Sequence, residues 1–283
     1  AHRRRHRGSR AGVTFPSASA IHRGLGRFEV FDVAAERLPS LGVHLLCSPL
    51  PYSIHAPLSR PELARNPSAV FFLSDSPGRE QSFAELDQTL RQAAALHAEY
   101  VVTHINWSED VLTEARAEAL AHDTGARLAA LSRAHGIAVH VECGGYSGGF
   151  HRAEQFAGLA RAFPELGLCL DVGHVWLIAQ ARGRSAYREI EILAPHARSM
   201  HLWAARDMAT YRRRGHVPLS PALSGTDGWL DLARAVTPVL AARPDCAAIF
   251  EFTWEPGEER PVADGLRWAE DLLRELAQPS TRS

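Results

Sequence analysis

Eight residues able to bind a cation or move a proton stand at the ends of short apolar runs or just beyond them. They are His55 in SIHAP, His104 in VVTHINW, Glu142 in VHVECGG, Asp171 and His174 in CLDVGH, His201 in SMHLW, His216 in RRRGHVPLS and Glu251 in IFEFTWE. Imidazole and carboxylate together form the donor set of Mn²⁺, Mg²⁺, Fe²⁺, Co²⁺ or Zn²⁺, with no thiolate required. Each residue alone has a plainer reading. A single strand-end histidine is commonly an ordinary satisfied polar side chain, and Asp171 suits the cap of a helix starting near Val175. Glu142 and Glu251 resist that reading, because each follows four or five apolar residues and a buried carboxylate without a partner is costly. Six successive apolar runs ending in His, Asp or Glu is the pattern that a metal-centred site would leave.

The apolar runs read as strands at residues 12–15, 28–31, 52–55, 100–105, 137–143, 168–171, 199–203 and 248–252. The later ones lack clean alternation, as expected of strands covered on both faces. Helical patterns fill the gaps. Ser82 with Glu85 forms a capping box for a helix ending near Ala98, and Ser108 opens a helix that Gly136 stops. Further helices are expected over 150–163, 227–242 and 259–277, and residues 58–81 read as a long loop. Strand and helix alternating over the whole length predict an α/β fold, a (β/α)8 TIM barrel in a single domain over residues 11–278. In that fold the active site is built at the C-terminal ends of the strands, where the eight residues fall. The basic stretch 1–10 reads as a disordered arm, because it lacks the apolar core of a signal peptide.

Composition removes several classes of function. Among 283 residues, all 31 basic ones are arginine, so enzymes that need a lysine amine are excluded: Schiff-base aldolases, pyridoxal-phosphate enzymes and Walker-A nucleotide binders. A formal charge of -1 lends no support to nucleic-acid or membrane binding. The four scattered cysteines form no C-x-x-C pair, which points to reduced thiols and a cytoplasmic setting. No run is long and apolar enough to span a bilayer. Arg206 and the Arg212–Arg214 cluster follow the His201 strand and could hold a hydroxyl or phosphate, or simply face solvent. Trp107, Trp176, Trp203 and Trp254 follow strand ends and either wall a pocket or pack the top of the barrel. Gly24 and Gly26 read as a turn.

The order and spacing of these motifs resemble the xylose-isomerase-like TIM-barrel superfamily, which includes sugar epimerases, sugar isomerases and endonuclease IV. The resemblance runs from about residue 28 to residue 251 and beyond. It implies a divalent metal held by Glu142, Asp171, His201 and Glu251, with Glu142 and Glu251 also moving the α-proton of a sugar or sugar phosphate. His55, His104, His174 and His216 are then additional metal ligands or substrate contacts, and Arg206 and Arg214 are substrate or phosphate contacts. The active-site lysine of xylose isomerases is missing, so their hydride shift is not supported. Endonuclease IV has a D-x-H motif where this chain has Arg214 before His216, and a guanidinium cannot ligate a third cation.

The leading expectation is a metal-dependent isomerase or epimerase with a small, sugar-like substrate. The alternative is a zinc-dependent abasic-site endonuclease or phosphodiesterase, and a third reading is a non-catalytic ligand-binding barrel. The sequence leaves self-association through the outer helices open.

Overall fold

The computed structural model describes residues 26–59, 70–105, 111–144, 148–255 and 257–277. Seven strands form one parallel sheet in sequence order: β1 (Phe28–Val30), β2 (Tyr52–His55), β3 (Tyr100–His104), β4 (Ala138–Glu142), β5 (Gly167–Asp171), β6 (Ala197–Leu202) and β7 (Ala247–Phe250). They match seven of the eight expected runs, and the run at 12–15 lies outside the described residues. The sheet curls into a nearly closed α/β TIM barrel. A contact between β1 and β6 reaches across its interior, with Glu29 Oε1 3.0 Å from His201 Nε2.

The helices are α1 (Leu38–Leu46), α2 (Gly78–Leu96), α3 (Glu114–His135), α4 (Ala153–Ala162), α5 (Val172–Ala181), α6 (Ala186–Leu193), α7 (Met208–Arg214), α8 (Leu232–Ala242) and α9 (Glu259–Ala277). None is long and apolar enough to cross a membrane.

The two faces of the strands carry different chemistry. Ile54, Val101, Val139, Val141, Leu168, Leu170, Met200 and Leu202 join the main core with helix residues such as Leu90, Leu128, Phe156 and Val236. Tyr100, Val102, Cys169 and Ala247 form a separate small cluster on the opposite face, inside the barrel. Polar side chains share that interior. Ser53 Oγ donates to Glu29 Oε2 at 2.7 Å, and His140 Nδ1 lies 3.0 Å from Ser199 Oγ while its ring stacks on Tyr100. Alternation is therefore blurred because the inward face mixes polar and apolar residues, whereas the outward face is mostly apolar.

Several helix starts differ from the expectation. Helix α2 begins at Gly78, four residues before Ser82, which shortens the expected 58–81 loop. Ser82 is buried one turn inside, donating to the Gly78 carbonyl at 2.8 Å and accepting from the Phe71 amide at 2.8 Å. The S-x-x-E pattern thus ties a loop down onto the helix and does not cap it. Helix α3 is capped by Thr113, whose hydroxyl accepts from Arg116, and ends on Gly136 at a φ of 66°. Ser108 lies outside the described residues. Helix α8 starts after Asp231, with Asp227 in the preceding turn at a φ of 44°.

The last helix closes tightly against the loop beyond α7. A Cβ at Gly265 would overlap the backbone carbonyl of Leu219, which cannot rotate away. Gly265→Ala is therefore expected to lower stability by roughly 2 kcal/mol or more through overpacking, seen as a reduced midpoint in thermal or urea denaturation.

Candidate metal centre

Strand register sets the site. His104 is the cross-strand partner of Glu142, and Asp171 is the partner of His201, so these ends lie at one level of the barrel. The same parity that sends Val101, Val141, Leu170 and Leu202 outward sends their chain neighbours inward. Glu251 follows the last residue of β7 and continues its ladder, its amide donating to the Leu202 carbonyl at 3.1 Å.

Glu142 is buried at the centre. His55 Nε2 is 2.9 Å from its Oε2, and His201 Nδ1 is 3.6 Å from the same oxygen. Its Oε1 faces His104 Nδ1 at 3.6 Å and His174 Nε2 at 4.0 Å. His201 Nδ1 is also 3.0 Å from Glu251 Oε2, and His216 Nδ1 is 3.5 Å from Glu251 Oε1. Asp171 Oδ2 is 3.7 Å from His174 Nε2. All eight residues singled out in the sequence thus converge on one mouth.

Asp171 is a helix cap and also a member of the buried cluster. Its Oδ1 accepts from the His174 amide at 2.6 Å and caps α5, which begins at Val172, three residues earlier than expected. It also belongs to the cluster with Glu142 and His201.

Among the described residues, two sets of donor atoms lie close enough together to hold a cation: His55, His104 and Glu142, and Glu142, Asp171 and His201. Glu142 belongs to both. Two ligands about 2.1 Å from one cation at a tetrahedral angle lie roughly 3.4 Å apart, close to the separations measured around Glu142. Buried polar atoms also fit a cation: both ring nitrogens of His201 and Glu251 Oε2 are buried, and their 3.0 Å ion-pair contacts lack hydrogen-bond alignment. Glu251 stands beside the second set through His201.

Electrostatics follow from burial against pairing. Burial opposes ionisation of Glu142, but the imidazoles around it, His104 foremost and then the hydrogen-bonded His55, hold its carboxyl well below the usual range. Burial likewise opposes Glu251, which His216 and His201 hold low. In Asp171 burial prevails and raises the carboxyl. Burial pushes His104 down to about 4 and lowers His216, leaving both imidazoles neutral near pH 7, the form that ligates metals. His55 moves up against its burial through its bond to Glu142, and His201 does so through Cys169, Glu29 and Glu251.

The arginines stay out of the cluster. Arg206 is exposed beside Asp207 at 3.6 Å, and Arg214 is exposed and paired with Glu258 at 3.0 Å. Among the tryptophans, Trp203 is buried in the site. Trp176 donates its indole N–H to the Arg206 carbonyl, Trp254 packs against the core, and Trp107 lies outside the described residues.

One site residue escaped the sequence reading. Glu29 on β1 ends no apolar run, and its partners Ser53 and His201 are distant in sequence. The available signal was a carboxylate between two apolar residues in the short strand FEV, weaker than the long apolar run that marked Glu142.

No curated protein sequence matches the chain. Among solved structures, a D-tagatose 3-epimerase-like protein superposes with a TM-score of 0.64 at 13% identity, covering 92% of each chain. The 3-keto-D-glucoside 4-epimerase YcjR from E. coli gives 0.67 at 10% identity, covering 91% of this chain and 92% of that one. Endonuclease IV from Thermus thermophilus gives 0.57 at 22% identity, covering 92% and 93%. These likenesses establish a common fold and leave the reaction open. The family model described as xylose isomerase-like TIM barrel matches residues 34–272, most of the sequence, and the chain belongs to that family.

Proposed function

We propose that this protein is a divalent-metal-dependent isomerase or epimerase acting on a sugar or sugar phosphate. The observation that carries the reading is the convergence of Glu142 and Glu251 on one ring nitrogen, His201 Nδ1, at 3.6 and 3.0 Å, which brings two carboxylates to one buried centre. Glu142, Asp171, His201 and Glu251 would hold the cation. When bound, it supplies positive charge beside the substrate oxygen on which negative charge develops.

The protein's own groups then account for the proton. One glutamate removes the hydrogen from the carbon next to the carbonyl. The C–H electron pair moves into a carbon–carbon double bond while the carbonyl oxygen takes the charge, leaving an enediolate. The opposite glutamate, entering the step as the acid, returns a proton to the other face, which inverts that carbon. Return to the former carbonyl carbon, with the hydroxyl proton passing from one substrate oxygen to the other, gives the isomer. His55 and His104 hold the Glu142 carboxylate in place during this exchange, and the buried site limits access of water to the enediolate.

A second reading has its own observation. The set of His55, His104 and Glu142 offers a second cation position next to the first, and two cations side by side suit phosphodiester hydrolysis, as in an abasic-site endonuclease. Arg214, paired with Glu258, leaves His174 and His216 without the third ligand that a third cation would need. Neutral overall charge favours the small sugar-like substrate over nucleic acid. The reduced cysteines are consistent with a cytoplasmic enzyme.

Two measurements separate these readings. Metal analysis of the dialysed protein is expected to find about one divalent cation per chain. Adding that cation back to stripped protein at ~100 times its Kd should raise the Tm by about 5–10 °C, an effect lost in Glu142→Gln. Two zinc ions per chain with cleavage of abasic duplex DNA would establish the second reading instead. In a screen of ketoses, aldoses and their phosphates, Glu142→Gln and Glu251→Gln should each lower kcat by about 10²- to 10⁴-fold with circular dichroism unchanged. Full activity in both variants would overturn the proton-transfer assignment.

A further inference from the structure

Trp203 follows the last residue of β6 and is almost wholly buried. Its indole Nε1–H donates to both oxygens of Asp171, at 2.9 Å to Oδ1 and 3.0 Å to Oδ2. The ring is fixed on several sides. One face stacks on His216 at 4.3 Å between centroids, His174 meets it edge-on at 5.3 Å, and Tyr211 lies 5.6 Å away. Gly173, in the first turn of α5, makes room for the indole, since a Cβ there would overlap the ring. The direction of the N–H is therefore set by packing on α5, α7 and the loop that carries His216.

Asp171 needs such a donor. It is fully buried, and its other hydrogen bond, from the His174 amide, reaches Oδ1 alone. A free carboxylate at a strand end can rotate about χ2. The cap bond and the bifurcated indole bond together hold it in one plane, with a carboxylate oxygen within 4.8 Å of the donor atoms of His201 and Glu142. Donors behind a ligand commonly govern metal affinity by orienting that ligand.

We propose that Trp203 is a positioning residue that holds Asp171 in its ligating orientation, so that cation affinity depends on one indole N–H. The proposal rests on the reading of Glu142, Asp171, His201 and Glu251 as the cation site. It goes beyond that reading by giving a residue with no ligating atom control of the affinity.

The test uses the full-length protein stripped of metal, with Co²⁺ as the probe. Affinity is read by competition against a chromophoric chelator, and ligand geometry by the visible absorption of bound Co²⁺. Trp203→Phe removes the N–H and part of the ring. Replacing Trp203 with 3-benzothienylalanine puts sulfur in place of the N–H in a ring of nearly the same size, so folding is preserved even if the Phe variant is unstable. Both are expected to bind Co²⁺ about 10- to 100-fold more weakly with an altered spectrum, and activity should return at saturating metal.

Wild-type affinity and spectrum in the benzothienyl protein would overturn the proposal and leave Trp203 a packing residue, even if the Phe variant binds weakly. Asp171→Asn provides the separate check. If it weakens binding while the benzothienyl protein does not, the cation site stands and only the role of Trp203 falls. If Asp171→Asn or the wild type shows no specific binding to lose, the cation site itself falls, and the proposal with it.

Discussion

A buried carboxylate surrounded by imidazoles is the constraint on which the rest of this protein depends. Glu142 is buried inside the barrel with nitrogens of His55, His104, His174 and His201 within 4.0 Å of its two oxygens. A carboxylate removed from water is stable only if opposite charge or hydrogen-bond donors replace its solvation. Glu29, Asp171 and Glu251 add three more acids to the same interior, so the surrounding imidazoles must be delivered to within about a hydrogen-bond length. That requirement fixes which strand residues face inward and at what level each strand ends.

The barrel meets the requirement by giving the two sides of each strand separate tasks. Outward-facing Val, Leu, Ile and Met side chains bury against the helices and supply the hydrophobic stabilisation. The inward face is thereby free to carry groups that would otherwise be unfavourable in a core. Parallel register then matches strand ends pairwise, His104 with Glu142 and Asp171 with His201. Small residues complete the fit, as Gly173 does where the Trp203 indole lies over the first turn of α5.

The same geometry bears on chemistry within the xylose isomerase-like family. The fold is shared by structures named as sugar epimerases and as endonuclease IV, so fold alone does not choose a reaction. In this chain several features combine at the mouth. Carboxylates flank His201, Arg214 is turned onto Glu258, and an aromatic group of Trp203, Tyr211 and His216 occupies the side of the site near His174.

Much of this was legible in the residue order. Near-continuous apolar runs ending in His, Asp or Glu announced parallel strands with a polar rim, and the absence of lysine narrowed the chemistry. Where sequence reading went astray, tertiary contacts had outweighed local pattern: Ser82 resembled a cap but bonds a loop amide, and α2 starts a full turn earlier. Glu29 was overlooked because its significance lies in a residue more than 170 positions away. Trp203 was visible as a strand-end aromatic, yet its bond to Asp171 depends on how β5, β6 and α5 are packed. By itself, then, the sequence determined the kinds of donor present and the strand ends that carry them, because these follow from side-chain chemistry and local periodicity. Only the tertiary structure decided which donors share an atom, which hold one another in place and which arginines turn away, because those are distances between segments that no local pattern encodes.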